Sequence, residues 1–306
     1  MVGGINQNDD DILNVEVFSD TANNTCNITD LEITIADNPM VFTAPISDNL
    51  LVCGGNNNRR RCLTLDDDGL WTYLALDKME ISKLNSPRRM SSAATTSNAS
   101  FIFGGIMGAK TATYDYMLSS AKNWVQGNKT IPDGFKNGCA VTISDDEIWL
   151  IGGEKGKQKT RVLAFYPSNH TFSQTGIELT RSRHSHRCSL MPDKSGVMVT
   201  GGTSDSTEII DIETRKSSES GNLSSVRALH GIGTLVINDT PTLVVFGGYT
   251  WASGDRKEEY FTTFEKYDEK TKTWSLWKDT KLKLPRREFG FATLKHPLKF
   301  CRDAKN

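Results

Sequence analysis

Long apolar runs are missing from this 306-residue chain, and so is a surplus of either charge. No apolar stretch approaches the roughly 18 residues that suggest a membrane-spanning helix, so we predict no membrane span. Lysine and arginine number 36 against 37 aspartates and glutamates, which leaves a formal net charge of −1. This balance argues against a general nucleic-acid-binding protein.

Catalytic and cofactor motifs are also missing. There is no Gly-x-Ser-x-Gly nucleophile elbow, and no set of nucleophile, base and acid can be assigned. Residues 153–157 (Gly-Glu-Lys-Gly-Lys) faintly resemble a phosphate loop but lack its glycine spacing and the Ser/Thr after the lysine. The acidic runs at 66–68 and 145–147 do not match a calcium loop. We therefore expect a non-enzymatic protein with no metal and no cofactor.

Glycine pairs return along the whole chain at a nearly constant spacing. The intervals between their first glycines are 51, 50, 48, 49 and 46 residues. Each pair follows an apolar run, where paired glycines permit a positive φ or the close passage of a neighbouring backbone. A period near 50 residues indicates a repeat architecture. The pairs are Gly3-Gly4, Gly54-Gly55, Gly104-Gly105, Gly152-Gly153, Gly201-Gly202 and Gly247-Gly248.

Arginine and aromatic residues follow the same period. Pro-Arg-Arg precedes a small-residue strand at 87–89 and 285–287, and Tyr-Asp comes after two of the glycine pairs at 114–115 and 267–268. This arrangement resembles the kelch repeat over essentially the whole chain. The resemblance implies an all-β fold, a six-bladed kelch β-propeller with four antiparallel strands per blade.

The unbroken period predicts a single domain over residues 1–306. Residues 289–294 should form a first strand that joins N-terminal strands at 12–18 and 28–35, with residues 298–300 as a further candidate. Both chain ends would then close the ring and leave no exposed sheet edge. Because Gly3-Gly4 follows Met1 so soon, we expect the chain to begin within a blade. No signal-peptide pattern is visible, which counts weakly against a secretory history.

Four arginines share one repeat position, five residues before the small or apolar residues of a strand. Equivalent positions recur around a propeller axis, so we predict a partial ring of cations on one face. As ligand-binding candidates they would hold carboxylates, phosphates or sulfates, and the alternative is that each is a structural part of the repeat that pairs with a neighbouring blade. The candidates are Arg88, Arg183, Arg227 and Arg286, together with His186 and His230 three residues after two of them. His184 and His186 have a spacing that metal sites use, but without a third ligand they do not predict a metal site.

Cys53 ends the strand before one glycine pair, and Cys62 opens the next strand, which the turn should fold back beside it. A disulfide between them is the prediction, with free buried thiols as the alternative, which also fits Cys139 and Cys188. With Cys26, the group resembles the cysteine pattern of secreted invertebrate kelch proteins. Cys26 and Cys301 stay unassigned.

Seven Asn-x-Ser/Thr sequons lie in turn-like polar stretches, where a glycan would face solvent. This number favours a secretory history. The glycosylation candidates are Asn23, Asn27, Asn98, Asn128, Asn169, Asn222 and Asn238.

The resemblance implies an interaction platform that binds another protein, or an acidic or glycosylated ligand, through loops on one face. The insertion at 251–259 marks one such loop, because long loops often carry function. An extracellular or cell-surface setting is the main prediction. The alternative is a cytoplasmic substrate receptor of a ubiquitin-ligase adaptor or an actin-associated kelch protein. A copper enzyme similar to galactose oxidase stands third, because no tyrosine–cysteine crosslink can be assigned.

Overall fold

The computed structural model describes residues 1–12, 14–18, 39–43, 50–55, 60–65, 70–73, 83–106, 112–121, 123–154, 160–252 and 257–293. Their contacts divide the chain into two compact units. Unit 1 comprises Met1–Gly4, Asp11–Lys136 and Phe289–Asn306, and unit 2 comprises Ile5–Asp10 and Asn137–Glu288. No helix in the part of the chain that the structure describes is long and apolar enough to cross a membrane.

Unit 1 contains two four-stranded antiparallel sheets, and in both the spatial order of the strands is their sequence order. The first sheet consists of β1 (Pro39–Thr43), β2 (Leu50–Gly54), β3 (Cys62–Leu65) and β4 (Trp71–Tyr73). The second consists of β5 (Ser92–Thr95), β6 (Ala99–Phe103), β7 (Tyr114–Leu118) and β8 (Val125–Gln126).

Unit 2 contains three further sheets of the same kind and one two-stranded ribbon. The third sheet consists of β9 (Cys139–Ser144), β10 (Glu147–Ile151), β11 (Arg161–Tyr166) and β12 (Thr171–Glu178). The fourth consists of β13 (Arg187–Leu190), β14 (Gly196–Thr200), β15 (Thr207–Asp211) and β16 (Ser217–Glu219). The fifth consists of β17 (Gly231–Ile237), β18 (Thr240–Phe246), β21 (Thr263–Asp268) and β22 (Thr273–Lys281), and the ribbon pairs β19 (Tyr249–Thr250) with β20 (Glu259–Tyr260).

Each sheet is a blade, and a succession of four-stranded antiparallel blades is the β-propeller arrangement. The second strand of a blade lies between two hydrogen-bonded neighbours and is packed on both faces, which explains why β2, β6 and β14 are buried throughout. In unit 2, one apolar cluster joins two successive blades, with Trp149 and Ile151 of β10 beside Val197 and Val199 of β14. Burial between neighbouring blades therefore explains why the strand before each glycine pair is an unbroken apolar run in the sequence.

The prediction of six blades in a closed ring is wrong. The described residues contain five four-stranded sheets, and no strand among them closes a ring. Near the chain ends, Val2 pairs with Gly290 and with Val15 only through isolated bridges of one residue each, and these do not form a strand. The strands predicted at 28–35 and 298–300 lie outside the described residues, and the single-domain prediction stays a prediction.

All twelve glycines of the six pairs have a positive φ, as predicted. At these positions the nearby backbone also leaves no room for a side chain. A Cβ on Gly54 would lie 2.8 Å from the Arg88 carbonyl oxygen, and one on Gly105 would lie 2.6 Å from that of Arg89. The glycines thus combine a left-handed backbone with close approach to the next blade.

Two disulfides are present among the described residues. Cys53 and Cys62 lie opposite each other in the β2–β3 register with a Cα–Cα distance of 4.2 Å, which confirms the predicted bridge. Cys139 and Cys188 form a second bridge, with Cα atoms 5.9 Å apart. This bridge joins the first strands β9 and β13 of successive blades, so the alternative of free thiols is wrong for these two residues. Cys26 and Cys301 lie outside the described residues.

Candidate functional site

The four arginines of the repeat lie inside the protein rather than on an exposed rim. Arg88, Arg183 and Arg227 are each 1% exposed, and Arg286 is fully buried. An external carboxylate or phosphate has no access to groups enclosed to this degree. The alternative, a structural role in the repeat, is the one that the geometry supports.

Three of these arginines make the same contacts inside their own blade. Nε donates to a buried carboxylate on the third strand, Nη1 donates to the carbonyl of the first glycine of the pair, and Nη2 donates to a nearby hydroxyl. Such a planar fork suits guanidinium better than an ammonium group. The Nε–carboxylate distances are 3.2 Å for Arg88–Asp115, 2.6 Å for Arg183–Glu208 and 2.9 Å for Arg227–Glu265.

The backbone of all four arginines receives a hydrogen bond from the preceding blade. In each case the second glycine of the preceding pair donates its N–H to the arginine carbonyl. The glycine pair and the arginine are therefore the two halves of one junction between blades, which explains why they share a period. The distances are 3.2 Å for Gly55–Arg88, 3.1 Å for Gly153–Arg183, 2.8 Å for Gly202–Arg227 and 2.8 Å for Gly248–Arg286.

The third blade departs from this pattern at both members of the ion pair. Phe135 replaces the arginine, since its carbonyl accepts the hydrogen bond from Gly105, and it is buried. Leu163 stands at the position of the acidic residue, two residues after Arg161, whose carbonyl accepts from the glycine pair. Neither residue carries a charge, so this blade avoids the desolvation cost of a buried ion pair. The absence of both charges is expected if each charge needs the other.

His186 and His230 are fully buried and are not available to an external ligand. Each packs on the first glycine of the preceding blade, where a Cβ on Gly152 or Gly201 would lie 2.6 or 2.8 Å from the imidazole Cε1. The imidazole Nε2 of His230 lies 2.8 Å from the Thr200 hydroxyl. Among the described residues, no group of three or more His, Cys, Asp or Glu side chains could hold a metal ion.

Burial lowers the pKa of His186 to about 3, and Arg183 and Arg187 add to this effect. The unfolded value is near 6.5, so the unfolded chain binds the proton first and stability rises with pH between about 3 and 6.5. We expect the His186 contribution to the free energy of unfolding in urea to fall by about 2 kcal/mol between pH 7 and pH 5. His186→Gln should reduce this dependence, whereas His184→Gln at the partly exposed neighbour should retain it. An unchanged pH dependence in His186→Gln would contradict the assignment.

Two positions after each of the four arginines, and after Phe135, lies a residue whose backbone is left-handed. None of the five is glycine, and their φ values lie between 51° and 58°. Non-glycine residues pay a conformational cost there that the surrounding structure must offset. The five are Met90, Asn137, Ser185, Leu229 and Glu288.

In unit 2 these left-handed residues are hydrogen-bonded from blade to blade. Ser185 donates its N–H to the Asn137 carbonyl at 2.8 Å, Leu229 donates to Ser185 at 2.9 Å, and Glu288 donates to Leu229 at 3.3 Å. This series holds the turns in register. It also fixes the residue before each left-handed residue. Three of these preceding residues, His184, Ala228 and Arg287, contact residues of the β19–β20 ribbon or Trp251 beside it.

The ribbon β19–β20 supports an aromatic group that we call the Trp251 cluster. Its side chains come from the ribbon and from turn residues of three repeats. Trp251 lies 5.2 Å from Tyr249 and 6.0 Å from His184, and Tyr249 lies 5.5 Å from Tyr260, measured between ring centres. The Trp251 cluster consists of His184, Ala228, Leu229, Tyr249, Trp251, Tyr260 and Arg287.

Arg287 joins the aromatic rings to carboxylates. Its guanidinium lies 4.8 Å from the centre of the Tyr249 ring, and Nε donates to the Tyr260 hydroxyl at 2.9 Å. Nη1 pairs with Glu288 at 2.6 Å, and Nη2 pairs with Asp9 at 2.8 Å. Burial by itself lowers the pKa of Arg287, but these carboxylates outweigh it and raise the pKa. Burial raises the pKa of Tyr249 to about 12, so both groups keep their ordinary charge at neutral pH.

The insertion at 251–259 pointed to this cluster from the sequence, but its other members were not predicted. Arg287 was visible only as part of a Pro-Arg-Arg repeat. An aromatic residue directly after the glycine pair, Tyr249, was the available signal, because the other pairs are followed by non-aromatic residues.

The sequon asparagines in the described part of the chain are all exposed and all lie outside strands. At Asn169, the side-chain oxygen accepts hydrogen bonds from the backbone N–H and the hydroxyl of Thr171, the third residue of its sequon. Asn23 and Asn27 lie outside the described residues. The exposed candidates are Asn98, Asn128, Asn169, Asn222 and Asn238.

No protein-family model matches this chain, and a search of curated proteins found no match either.

Proposed function

We propose that this chain is a kelch-type propeller that acts without catalysis as a protein-interaction module and binds its partner through the Trp251 cluster. The observation that carries the proposal is the ribbon β19–β20, an addition to the four-strand plan that brings together Tyr249, Trp251 and Tyr260 with Arg287. Tyrosine, tryptophan and arginine are the residues that most often dominate the binding energy of protein interfaces.

The burial of two histidines supports the non-catalytic part of the proposal. Groups with strongly shifted pKa values often mark active sites, but here His186 and His230, whose pKa values are lowered most clearly among the histidines, are enclosed in the core. Their shifts have a structural cause, which is packing against the glycines of the preceding blade. They offer no proton to a substrate.

Two features support an extracellular or cell-surface setting. Disulfides persist in oxidising compartments and are rare in the cytosol. The bridges at Cys53–Cys62 and Cys139–Cys188 and the five exposed sequon asparagines agree with passage through the secretory pathway. This part of the proposal is tested by the intact mass of protein from its native source, with and without glycosidase and reductant. Bare polypeptide with free thiols would instead favour the cytoplasmic alternative.

The interaction surface can be tested with a photo-crosslinking amino acid at two positions. Residue 251 places it in the Trp251 cluster, and residue 276 places it on the outer strand β22, where Leu276 is 47% exposed. Applied to intact cells from the native source, the protein labelled at 251 should crosslink a protein partner, and the protein labelled at 276 should not. Equal crosslinking from both positions, or none from 251, would contradict the proposal.

A further inference from the structure

We infer that the Trp251 cluster binds a basic segment of a protein partner and seats an arginine or lysine side chain beside Trp251. This inference rests on the proposed function and adds the chemistry of the partner. It replaces the acidic ligand that was predicted from the arginines of the repeat, because those arginines are buried.

One cation of the protein itself, the Arg287 guanidinium, already lies in this cluster. The guanidinium of Arg287 lies 4.8 Å from the ring centre of Tyr249 and 5.8 Å from that of Tyr260, and it pairs with the carboxylates of Asp9 and Glu288. Aromatic faces beside carboxylates form a binding site for a cation, since the ring quadrupole and the negative charges act together. Arg287 fills the inner part of that surface.

Trp251 provides the outer part. Its side chain is partly exposed, and its ring lies at 66° to Tyr249 and 6.0 Å from His184, measured between ring centres. Tryptophan is the aromatic side chain that attracts cations most strongly. We therefore expect an incoming guanidinium or ammonium group to contact the exposed part of the Trp251 side chain, while Arg287 keeps its own partners.

Among the described residues beside the cluster, exposed acidic side chains outnumber exposed basic ones. Asp9 and Asp10 lie in the turn whose Asp9 pairs with Arg287, and Glu258 and Glu259 lie at the start of β20. Among residues 251, 252, 257 and 258, which are the described residues between β19 and β20, Lys257 is the one exposed lysine or arginine. Complementary charge selects partners and speeds their encounter, so this surface favours a basic segment and repels an acidic one.

The first test uses three synthetic peptides with the protein in its disulfide-bonded form. Each alternates glycine with three charged residues, which are arginine, lysine or glutamate, and binding is followed by tryptophan fluorescence and calorimetry. We expect the arginine and lysine peptides to bind, and the glutamate peptide not to bind. Raising the salt concentration should weaken binding, because exposed charges are screened. Stronger binding of the glutamate peptide, or no difference among the three, would overturn the inference.

Variants locate the site. Trp251→Leu should weaken binding of the arginine peptide about two- to fivefold, the range expected for an exposed cation–π contact. Glu258→Gln combined with Glu259→Gln should weaken it by a similar factor. The matched control is Glu178→Gln combined with Glu213→Gln, which removes two exposed carboxylates elsewhere and should leave binding unchanged. Urea unfolding of every variant separates loss of binding from loss of folding. Equal weakening by the control pair would show non-specific attraction and overturn the inference.

The two proposals can fail separately. If a crosslinker at residue 251 captures a partner but the basic peptides do not bind, the interaction surface stands and the basic partner is wrong. If the peptides bind and no partner is captured from 251, the proposed function fails while the cation site remains.

Discussion

Arg183→Met is expected to lower the free energy of unfolding by about 3–5 kcal/mol, because it leaves a carboxylate buried without its cation. Glu208 is fully buried, and the Arg183 Nε–Glu208 Oε1 distance is 2.6 Å. The carbonyls of Gly201 and Ser206 lose their donor at the same time. Urea unfolding at pH 7 gives the measurement.

Two further variants show whether burial of the charge is the cause. Arg181→Met breaks an ion pair with Glu219 whose side chains are 56% and 58% exposed, so it should cost less than about 1 kcal/mol. Arg183→Phe combined with Glu208→Leu copies Phe135 and Leu163 of the third blade and removes both charges. This double variant should be more stable than Arg183→Met. A double variant that is less stable would show that the hydrogen bonds of the pair matter more than the unpaired charge.

Replacing Cys139 and Cys188 by alanine is expected to cost about 4 kcal/mol of unfolding free energy. The bridge closes a loop with a sequence separation of 49 residues, and the loss of unfolded-state entropy grows with loop length. The Cys53–Cys62 bridge spans only 9 residues, so its removal should cost about 2.5 kcal/mol. Urea unfolding of both double-alanine variants measures the difference.

The reduced wild-type protein is the control, because it keeps both cysteine side chains in place. It should lose stability without the cavities that alanine leaves in the cluster around Cys139 and Cys188. If both disulfide variants lose the same free energy, the loop-length explanation is wrong.

The candidate site shows what a repeat pattern leaves open. The pattern placed Arg88, Arg183 and Arg227 at equivalent positions, but it did not reveal that each guanidinium turns inward to a carboxylate. The acidic residues were visible in the sequence of the third strand. Asp115 and Glu208 each come two residues after the residue whose carbonyl accepts a hydrogen bond from the first glycine of the pair. Recognising them required the geometry of the arginine fork, which spans 25 to 38 residues of sequence.

The Trp251 cluster was still harder to predict. His184, Ala228 and Arg287 occupy one repeat position, the residue before a left-handed turn. Only the blade-to-blade hydrogen bonds bring these turns beside the ribbon. The insertion indicated that this loop differs from the others, but it did not indicate which turns it would contact.

The sequence by itself determined the blade. Four strands, the positive φ of the glycine pairs and the Cys53–Cys62 bridge all depend on residues that are neighbours along one repeat, where local turns fix the pairing. The tertiary structure alone decided how many blades form, how the arginines are buried and which aromatic rings meet. Those outcomes depend on contacts between repeats about 50 residues apart, and a periodic pattern carries no record of which of its equivalent positions face water.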